Sequence, residues 1–283
     1  MNPDAVRVFV PGHVTGFFSV HRDPDPRVAG SRGAGITLAD GVEVIVQRTG
    51  DAGLYVDDTA MTMEPVETVL EQLEVSPAIH ARTAVPLGAG FGVSGAITLG
   101  TAIGVNALYA CNRTENELGT IAHAAEVAAA TGLGDVVAQL RGGVPIRRAP
   151  GAPTIGQLDG IPIGGRIEYL SFGERSTEDI IGGDTTAINL AGEAALEGLL
   201  AEPTLDSLFE QSRRFSRSAG LLTSATETAI DRVGAVGGEA AMAMIGNTVF
   251  ARDTGLSDAG YDPSRCQIAT RGVRIDAGCG RFS

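Results

Sequence analysis

Residues 86–96 read Pro86-Leu87-Gly88-Ala89-Gly90-Phe91-Gly92-Val93-Ser94-Gly95-Ala96. Four glycines fall within eight residues, and the stretch opens into an apolar, small-residue segment, Ala96 to Ala110, that reads as a helix. Glycine lets backbone N–H groups turn toward one point and lets a ligand come close. A helix start adds unpaired N–H groups and the positive end of the helix dipole. Together these make an anion site, and the usual anion is phosphate. Ser94 adds a hydroxyl for a phosphate oxygen or for Mg2+. The same glycine spacing also suits a loop that merely needs left-handed backbone. The Gly-Lys-Ser/Thr ending of a Walker-type loop is missing. Gly90-x-Gly92-x-x-Gly95 has dinucleotide spacing, but no acidic residue follows about twenty residues on. The nearest, Glu115, fits better as a helix cap.

Four more side chains carry chemistry. Glu126 stands among the small residues Ala124 to Ala130, where a helix can approach another element closely. On the outer face of that helix it would only be solvated. His123, three residues earlier on the same side, reads as a structural neighbour. Asp135 follows Thr131-Gly132-Leu133-Gly134 and precedes Val136 to Leu140, the position of a helix N-cap. His13 lies in Pro11-Gly12-His13-Val14-Thr15-Gly16-Phe17-Phe18, where it is a turn histidine if it has no role. Arg32 lies in Gly30-Ser31-Arg32-Gly33-Ala34-Gly35. It is either a solvated loop charge or a planar two-pronged donor for a carboxylate.

The glycine stretch resembles the second motif of the GHMP kinases, Pro-x-x-x-Gly-Leu-Gly-Ser-Ser-Ala-Ala. Pro86, Gly90, Gly92, Ser94 and Ala96 match in register, whereas Phe91, Val93 and Gly95 depart. The Pro11 to Phe18 stretch is similar to the first motif with His13 in place of Lys. Together with Gly30 to Gly35 it resembles the archaeal pantoate kinases. Ala240 to Phe250 resembles their form of the third motif and lacks the glycine run of the wider family. The resemblance covers most of the chain, strongest from Phe9 to Asp135 and again near Met242 to Phe250.

That resemblance implies an α+β, two-lobed GHMP kinase fold with the active site between the lobes. The ATP-binding lobe would span 1–155 and the second lobe 156–283, joined in the Pro- and Gly-rich stretch from Ala149 to Ile163. The implied reaction is ATP-dependent phosphorylation of the primary hydroxyl of (R)-pantoate to 4-phosphopantoate, a step of archaeal coenzyme A synthesis. Pro86, Gly88, Gly90, Gly92, Ser94 and Gly95 would hold the ATP phosphates, and Ser94 and Glu126 would hold Mg2+. Asp135 would be the catalytic residue beside the attacking hydroxyl, with Arg32 and His13 meeting the acid substrate. At a helix N-terminus the ionised carboxylate is favoured, so Asp135 would be a weak base that takes the proton late. A homodimer is implied as well. The alternatives are another small-alcohol kinase of the homoserine or mevalonate type, and a non-catalytic nucleotide or ligand sensor on the same fold. Keeping Ser94, Glu126 and Asp135 together favours an enzyme.

The rest of the chain must position these groups. A length of 283 residues, 43% of them hydrophobic, suffices for one large domain or two packed lobes. Strands are expected at Val6 to Val10, at Ile36 to Leu38 and Val42 to Gln47 around an Asp40-Gly41 hairpin turn, at Leu54 to Val56, and at Ile79 to Val85. Helices are expected at Thr62 to Leu73, with Pro65 in the first turn, and from a Thr114/Glu117 capping box to Ala130, with Gly132 as C-cap. His21 to Arg27 reads as an exposed Pro-rich loop. Beyond residue 163, strands are expected at Arg166 to Phe172 and helices at 187–201, 204–219 and 224–233. A strand and turn follow at 240–250, with a closing strand from Cys266 to Ile275.

The net charge of -13 argues against nucleic acid and anionic membrane as partners. All 21 basic residues are Arg, with no Lys, so only backbone N–H groups, Mg2+ and Arg can neutralise a transferred phosphate. An acidic, Lys-free surface also suits a salt-rich, haloarchaeal cytoplasm, where self-repulsion is screened. Arg-biased genome composition explains the missing Lys equally well. Residues 83–112 carry no charge, but glycines and Thr98, Thr101 and Asn106 favour a buried helix over a membrane span. Cys111, Cys266 and Cys279 form no metal or disulfide spacing, and no signal peptide is visible, so the expected compartment is the cytoplasm.

Overall fold

The structure is a computed structural model that describes residues 4–173, 182–244 and 246–276. Cys279 lies outside the described residues, as does Ile245 of the expected strand and turn. Two long strands, β1 (Ala5–His21) and β2 (Gly30–Gln47), pair antiparallel along nearly their whole lengths. Val6, Val8 and Val10 on β1 and Val42, Val44 and Val46 on β2 face the same core, as period-two alternation requires. β1 does not stop at Val10; it runs on through the Pro11–Phe18 stretch. The Asp40-Gly41 hairpin does not form either. Register passes from Pro11↔Gly41 to Gly12↔Leu38, so residues 39 and 40 bulge out of a strand that stays on one partner. β1 is long enough to pair with both halves of β2, and the Tyr169 hydroxyl donates to the bulged Asp40 at 3.0 Å.

The large sheet has the order β12-β1-β2-β5-β3-β4, with β3 at Gly53–Val56, β4 at Thr59–Met61, β5 at Ala78–Thr83 and β12 at Arg274–Ile275. A hairpin of β6 (Val144–Ala149) and β7 (Gln157–Ile161) branches from β2. A second sheet runs β11-β8-β10-β9, formed by Ser264–Gln267, Arg166–Ser171, Thr248–Arg252 and Ala240–Ala243. The expected closing strand is therefore two pieces. β11 edges the small sheet, then the chain crosses and β12 edges the large one, pairing with β1.

Helices α1 (Glu64–Leu73), α2 (Val93–Tyr109), α3 (Glu115–Ala128) and α4 (Asp135–Arg141) belong to the first half. The α3 capping box forms: Glu117 N–H donates to Thr114 Oγ1 at 3.3 Å, and Thr114 N–H donates to Glu117 Oε2 at 2.8 Å. Its C-cap is Ala129, not Gly132. The helices expected in the second half form as α5 (Thr186–Ala201), α6 (Leu205–Ser218) and α7 (Ser224–Ala235), followed by the short α8 (Gly255–Asp258). No helix among the described residues is long and apolar enough to cross a membrane.

The uncharged α2 is buried because it packs on β1 and β2 and is covered by α1, α3 and α4. Gly100 and Gly104 let it approach: a Cβ on either would stand 2.6 Å from a methyl of Val44 or Val46. This close contact holds the helix start at the end of the sheet, where the glycine loop enters. Gly100→Val is expected to destabilise the fold by about 1–3 kcal/mol through overpacking, read as a lower urea midpoint.

Candidate active site

Between β5 and α2, Gly88, Gly90 and Gly92 take φ of 73°, 87° and 62°. Each is a left-handed value that favours glycine. Gly92 is the N-cap of α2 and offers no capping side chain, so the helix's first N–H groups stay open. The N–H groups of Gly90, Gly92, Val93, Ser94 and Gly95 make no hydrogen bond to any described residue. All five residues line a cavity of ≈370 Å³ shared with Thr131–Asp135, Ser31, Arg147 and Met244.

The end of α3 supplies Glu126, which is 3% exposed. Its Oε1 accepts from Ser94 at 2.8 Å and Thr98 at 2.7 Å, and its Oε2 accepts from Thr131 at 2.8 Å. Burial raises its pKa; the three hydroxyls oppose that rise, and nearby Asp135 adds to it. Glu126 does not line the cavity itself; Ser94 and Thr131 stand between. The chain turns sharply here because the N–H groups of Thr131 and Gly132 both donate to the Glu126 carbonyl.

Asp135 is the first residue of α4 and makes no N-cap bond; the N-cap is Gly134. Its carboxylate instead lies 2.8 Å from His13 Nδ1 on β1. A Cβ on Gly92 would stand 3.0 Å from Asp135 Oδ1, so the carboxylate touches the glycine loop. Burial pushes the Asp135 pKa up, but the His13 hydrogen bond and charge, with Arg147 and the backbone, outweigh it and hold it below the ordinary value. Asp135 is thus ionised while Glu126 is the harder carboxylate to ionise.

Arg147, on β6, is not singled out by any sequence motif. It is 7% exposed and reaches the cavity from below. Its Nη1 donates to Ser31 Oγ at 2.8 Å and its Nη2 to the Leu133 carbonyl at 2.7 Å, while Nε is buried without a partner. Burial lowers its pKa to about 10 against the pull of Asp135, so it stays charged at neutral pH. Gly134 makes this possible, because a Cβ there would lie 0.8 Å from Arg147 Nη1. His123, behind it, donates its Nε2–H to the Ala29 carbonyl at 2.9 Å, and its pKa is lowered to about 4 chiefly by burial, so it is neutral.

The structure therefore brings Gly88, Gly90, Gly92, Ser94, Gly95 and Asp135 to one cavity, with Glu126 buried behind Ser94 and Thr131. Pro86 begins the loop and does not line that cavity. His13 is buried behind Asp135, with Nε2 unpartnered, and does not line it either. Arg32 points elsewhere: its Nη1 pairs with Glu193 of α5 and its Nε donates to the Arg148 carbonyl at 2.9 Å. Glu193 also accepts from Ser19 Oγ at 2.5 Å. Arg32 and His13 share only a small separate cavity of ≈20 Å³. Among the described residues, the cation facing the large cavity is Arg147.

Residues 61–143 match the family described as GHMP kinases N terminal domain. The pantoate kinase of Methanospirillum hungatei is 37% identical over 157 residues, 52% of this chain and 54% of that protein. That of Methanocaldococcus jannaschii is 36% identical over 151 residues, with the same shares. The chain spans about half the length of the curated relatives it matches. A solved phosphotransferase related to the CoA biosynthesis pathway has a TM-score of 0.85 and 29% identity, covering 98% of this chain and 100% of that one. The mevalonate-3-kinase of Thermoplasma acidophilum shares the fold at 12% identity, with a TM-score of 0.69 and 98% of each chain covered. The glycine loop thus lies inside the matched domain, and the cavity lies inside the matched fold.

Proposed function

We propose that the chain is an ATP-dependent pantoate kinase: it transfers the γ-phosphoryl group of ATP to the primary hydroxyl of pantoate, releasing ADP, with the hydroxyl proton passing to Asp135. The carrying observation is the contact between the open N–H cluster of the glycine loop and an ionised carboxylate, Asp135, at the same cavity wall. A triphosphate needs the first and an attacking alcohol needs the second. Gly88, Gly90, Gly92, Ser94 and Gly95 receive phosphate oxygens through backbone N–H groups, with Pro86 fixing the loop's entry. Residues 1–155 carry this nucleotide lobe and 156–283 the second lobe. The acceptor's carboxylate is met by Arg147, whose guanidinium is desolvated and held beside the cavity. Arg32 is then a support held by Glu193, and His13 orients Asp135. Pantoate as acceptor draws on the names of the relatives and on Arg147 as a carboxylate receptor.

Ser94 and Glu126 fit Mg2+ by their chemistry, an all-oxygen donor pair. Their oxygens are 2.8 Å apart. Bound there, Mg2+ would neutralise charge on the phosphoryl oxygens. The raised pKa of Glu126 sets a pH prediction. Protonated Glu126 cannot ligate, so activity falls as pH drops through that raised value. Mg2+ favours the ionised form, so higher Mg2+ is expected to move the acid limb of kcat/KM to lower pH. A limb that ignores Mg2+ would remove Glu126 from the metal.

The test is ADP release with ATP, Mg2+ and high KCl, comparing pantoate with homoserine, mevalonate and no acceptor. Pantoate-dependent turnover supports the proposal. Turnover with another acceptor keeps the kinase and discards the substrate. Nucleotide binding without turnover on any of them points to a sensor. Loss of fold and activity in dilute buffer would in addition support a salt-adapted protein.

A further inference from the structure

Three carbonyls of the glycine loop are tied to the protein on the side away from the cavity. The Ala89 carbonyl accepts from Thr248 Oγ1 at 2.8 Å, and both residues are buried. The Phe91 carbonyl accepts from the His13 N–H at 2.9 Å. The Gly92 carbonyl accepts from Gln139 Nε2 at 2.8 Å, besides the first helical N–H of α2, that of Ala96. A trans peptide is planar, with its N–H pointing opposite its C=O. Fixing these three carbonyls therefore fixes the N–H groups of Gly90, Gly92 and Val93, the next residue in each case. Those three residues line the cavity, and their N–H groups have no partner among the described residues.

We infer that Thr248 and Gln139 are positioning residues that aim the glycine loop's N–H groups at a bound phosphate by holding the far end of the same peptide planes. Thr248 opens β10 in the small sheet, and Gln139 lies in α4. Neither touches the cavity. The turn before Thr248 presses on the same peptide: a Cβ on Gly246 would lie 2.0 Å from the Ala89 oxygen and 2.5 Å from its carbon. Only a glycine at 246 leaves room for the Ala89 carbonyl beside this turn. Gln139 is fully buried, with Oε1 unpartnered, so its amide nitrogen is the part the fold uses. Without these anchors the glycines, which tolerate either sign of φ, are free to rotate their peptide planes. The inference rests on the proposal that the loop holds nucleotide phosphates.

The experiment compares Mg2+-ADP with adenosine, which lacks phosphate, on the full chain carrying Thr248→Val, Thr248→Ser or Gln139→Met. Thr248→Val and Gln139→Met are expected to weaken ADP about tenfold, the effect of one lost hydrogen bond to a charged group. Adenosine affinity should stay at the wild-type value, and Thr248→Ser, which keeps the hydroxyl, should restore ADP binding. Equal weakening of ADP and adenosine would mean a general structural role and overturn the inference, as would wild-type ADP affinity in both Thr248→Val and Gln139→Met. If Thr248→Val does not fold, Gln139→Met and Thr248→Ser decide by the same comparison. A wild-type chain that binds adenosine but gains nothing from the phosphates of ADP would overturn the nucleotide-phosphate reading itself.

Discussion

Asp135→Asn is expected to lower kcat about a thousandfold while leaving Mg2+-ADP affinity within about twofold. The amide oxygen of Asn can still accept from His13, so the size and packing of the site survive. What disappears is a negative charge that His13 and Arg147 hold ionised. An amide cannot take the proton of an attacking hydroxyl. With nucleotide held by the loop N–H groups, as proposed, and not by this charge, the loss should fall in kcat. Steady-state kinetics with calorimetric binding of ADP checks both halves. Activity within tenfold of wild type would mean that Asp135 only orients His13 and α4. Because its pKa is below the ordinary value, Asp135 should not supply the acid limb of the rate profile above pH 4; that limb is expected to come from Glu126, whose pKa is raised.

Arg147→Met should lower kcat/KM for the acid acceptor about a hundredfold, the worth of roughly 3 kcal/mol for a desolvated charged hydrogen bond. Met keeps much of the buried volume and removes the only fork of donors among the described residues that faces the cavity beside Asp135. Two carbonyl and hydroxyl partners, Leu133 and Ser31, lose their donors, so some stability is lost as well. The specificity claim therefore needs a second variant. Gly134→Ala leaves Arg147 in the chain but puts a methyl where its Nη1 lies. It should give the same rise in acceptor KM with ADP affinity intact. If acceptor KM is unchanged in both, the carboxylate is met elsewhere, and Arg32 becomes the next candidate. Arg32→Met, by contrast, is expected to act mainly through the loss of its Glu193 contact and to change acceptor KM less than Arg147→Met.

The pattern of legibility follows the range of the interactions. The glycine loop, the α2 start, the capping box at Thr114 and the helices of the second half are local events. Left-handed φ, open N–H groups and caps are set within a few residues, so type and spacing were enough to read them. The motif resemblance singles out Ser94, Glu126 and Asp135, and the fold brings Ser94 and Asp135 to one cavity with Glu126 buried behind Ser94. Asp40-Gly41 was misread because a turn dipeptide says nothing about whether a partner strand is long enough to span both sides of it. β1 is, so the dipeptide becomes a bulge. Asp135 as an N-cap failed for a similar reason: a carboxylate at a helix start chooses between local N–H groups and a distant His13, and the chain between them is 122 residues long.

Residue types and spacing by themselves determined a glycine-rich loop at a helix start, no Lys to neutralise a phosphate, and enough apolar sequence for a sizeable core, while the motif resemblance added the α+β fold and the pair of carboxylates. Only the tertiary structure decided which cation faces the cavity. The motif resemblance singles out Arg32 and not Arg147, and both sit on strands. One is drawn off by Glu193 on α5. The other is pressed into space that Gly134 leaves open and is desolvated beside Asp135. The difference arises from packing between elements far apart in the chain, where burial strengthens a charge's interactions and a missing Cβ decides where it can go.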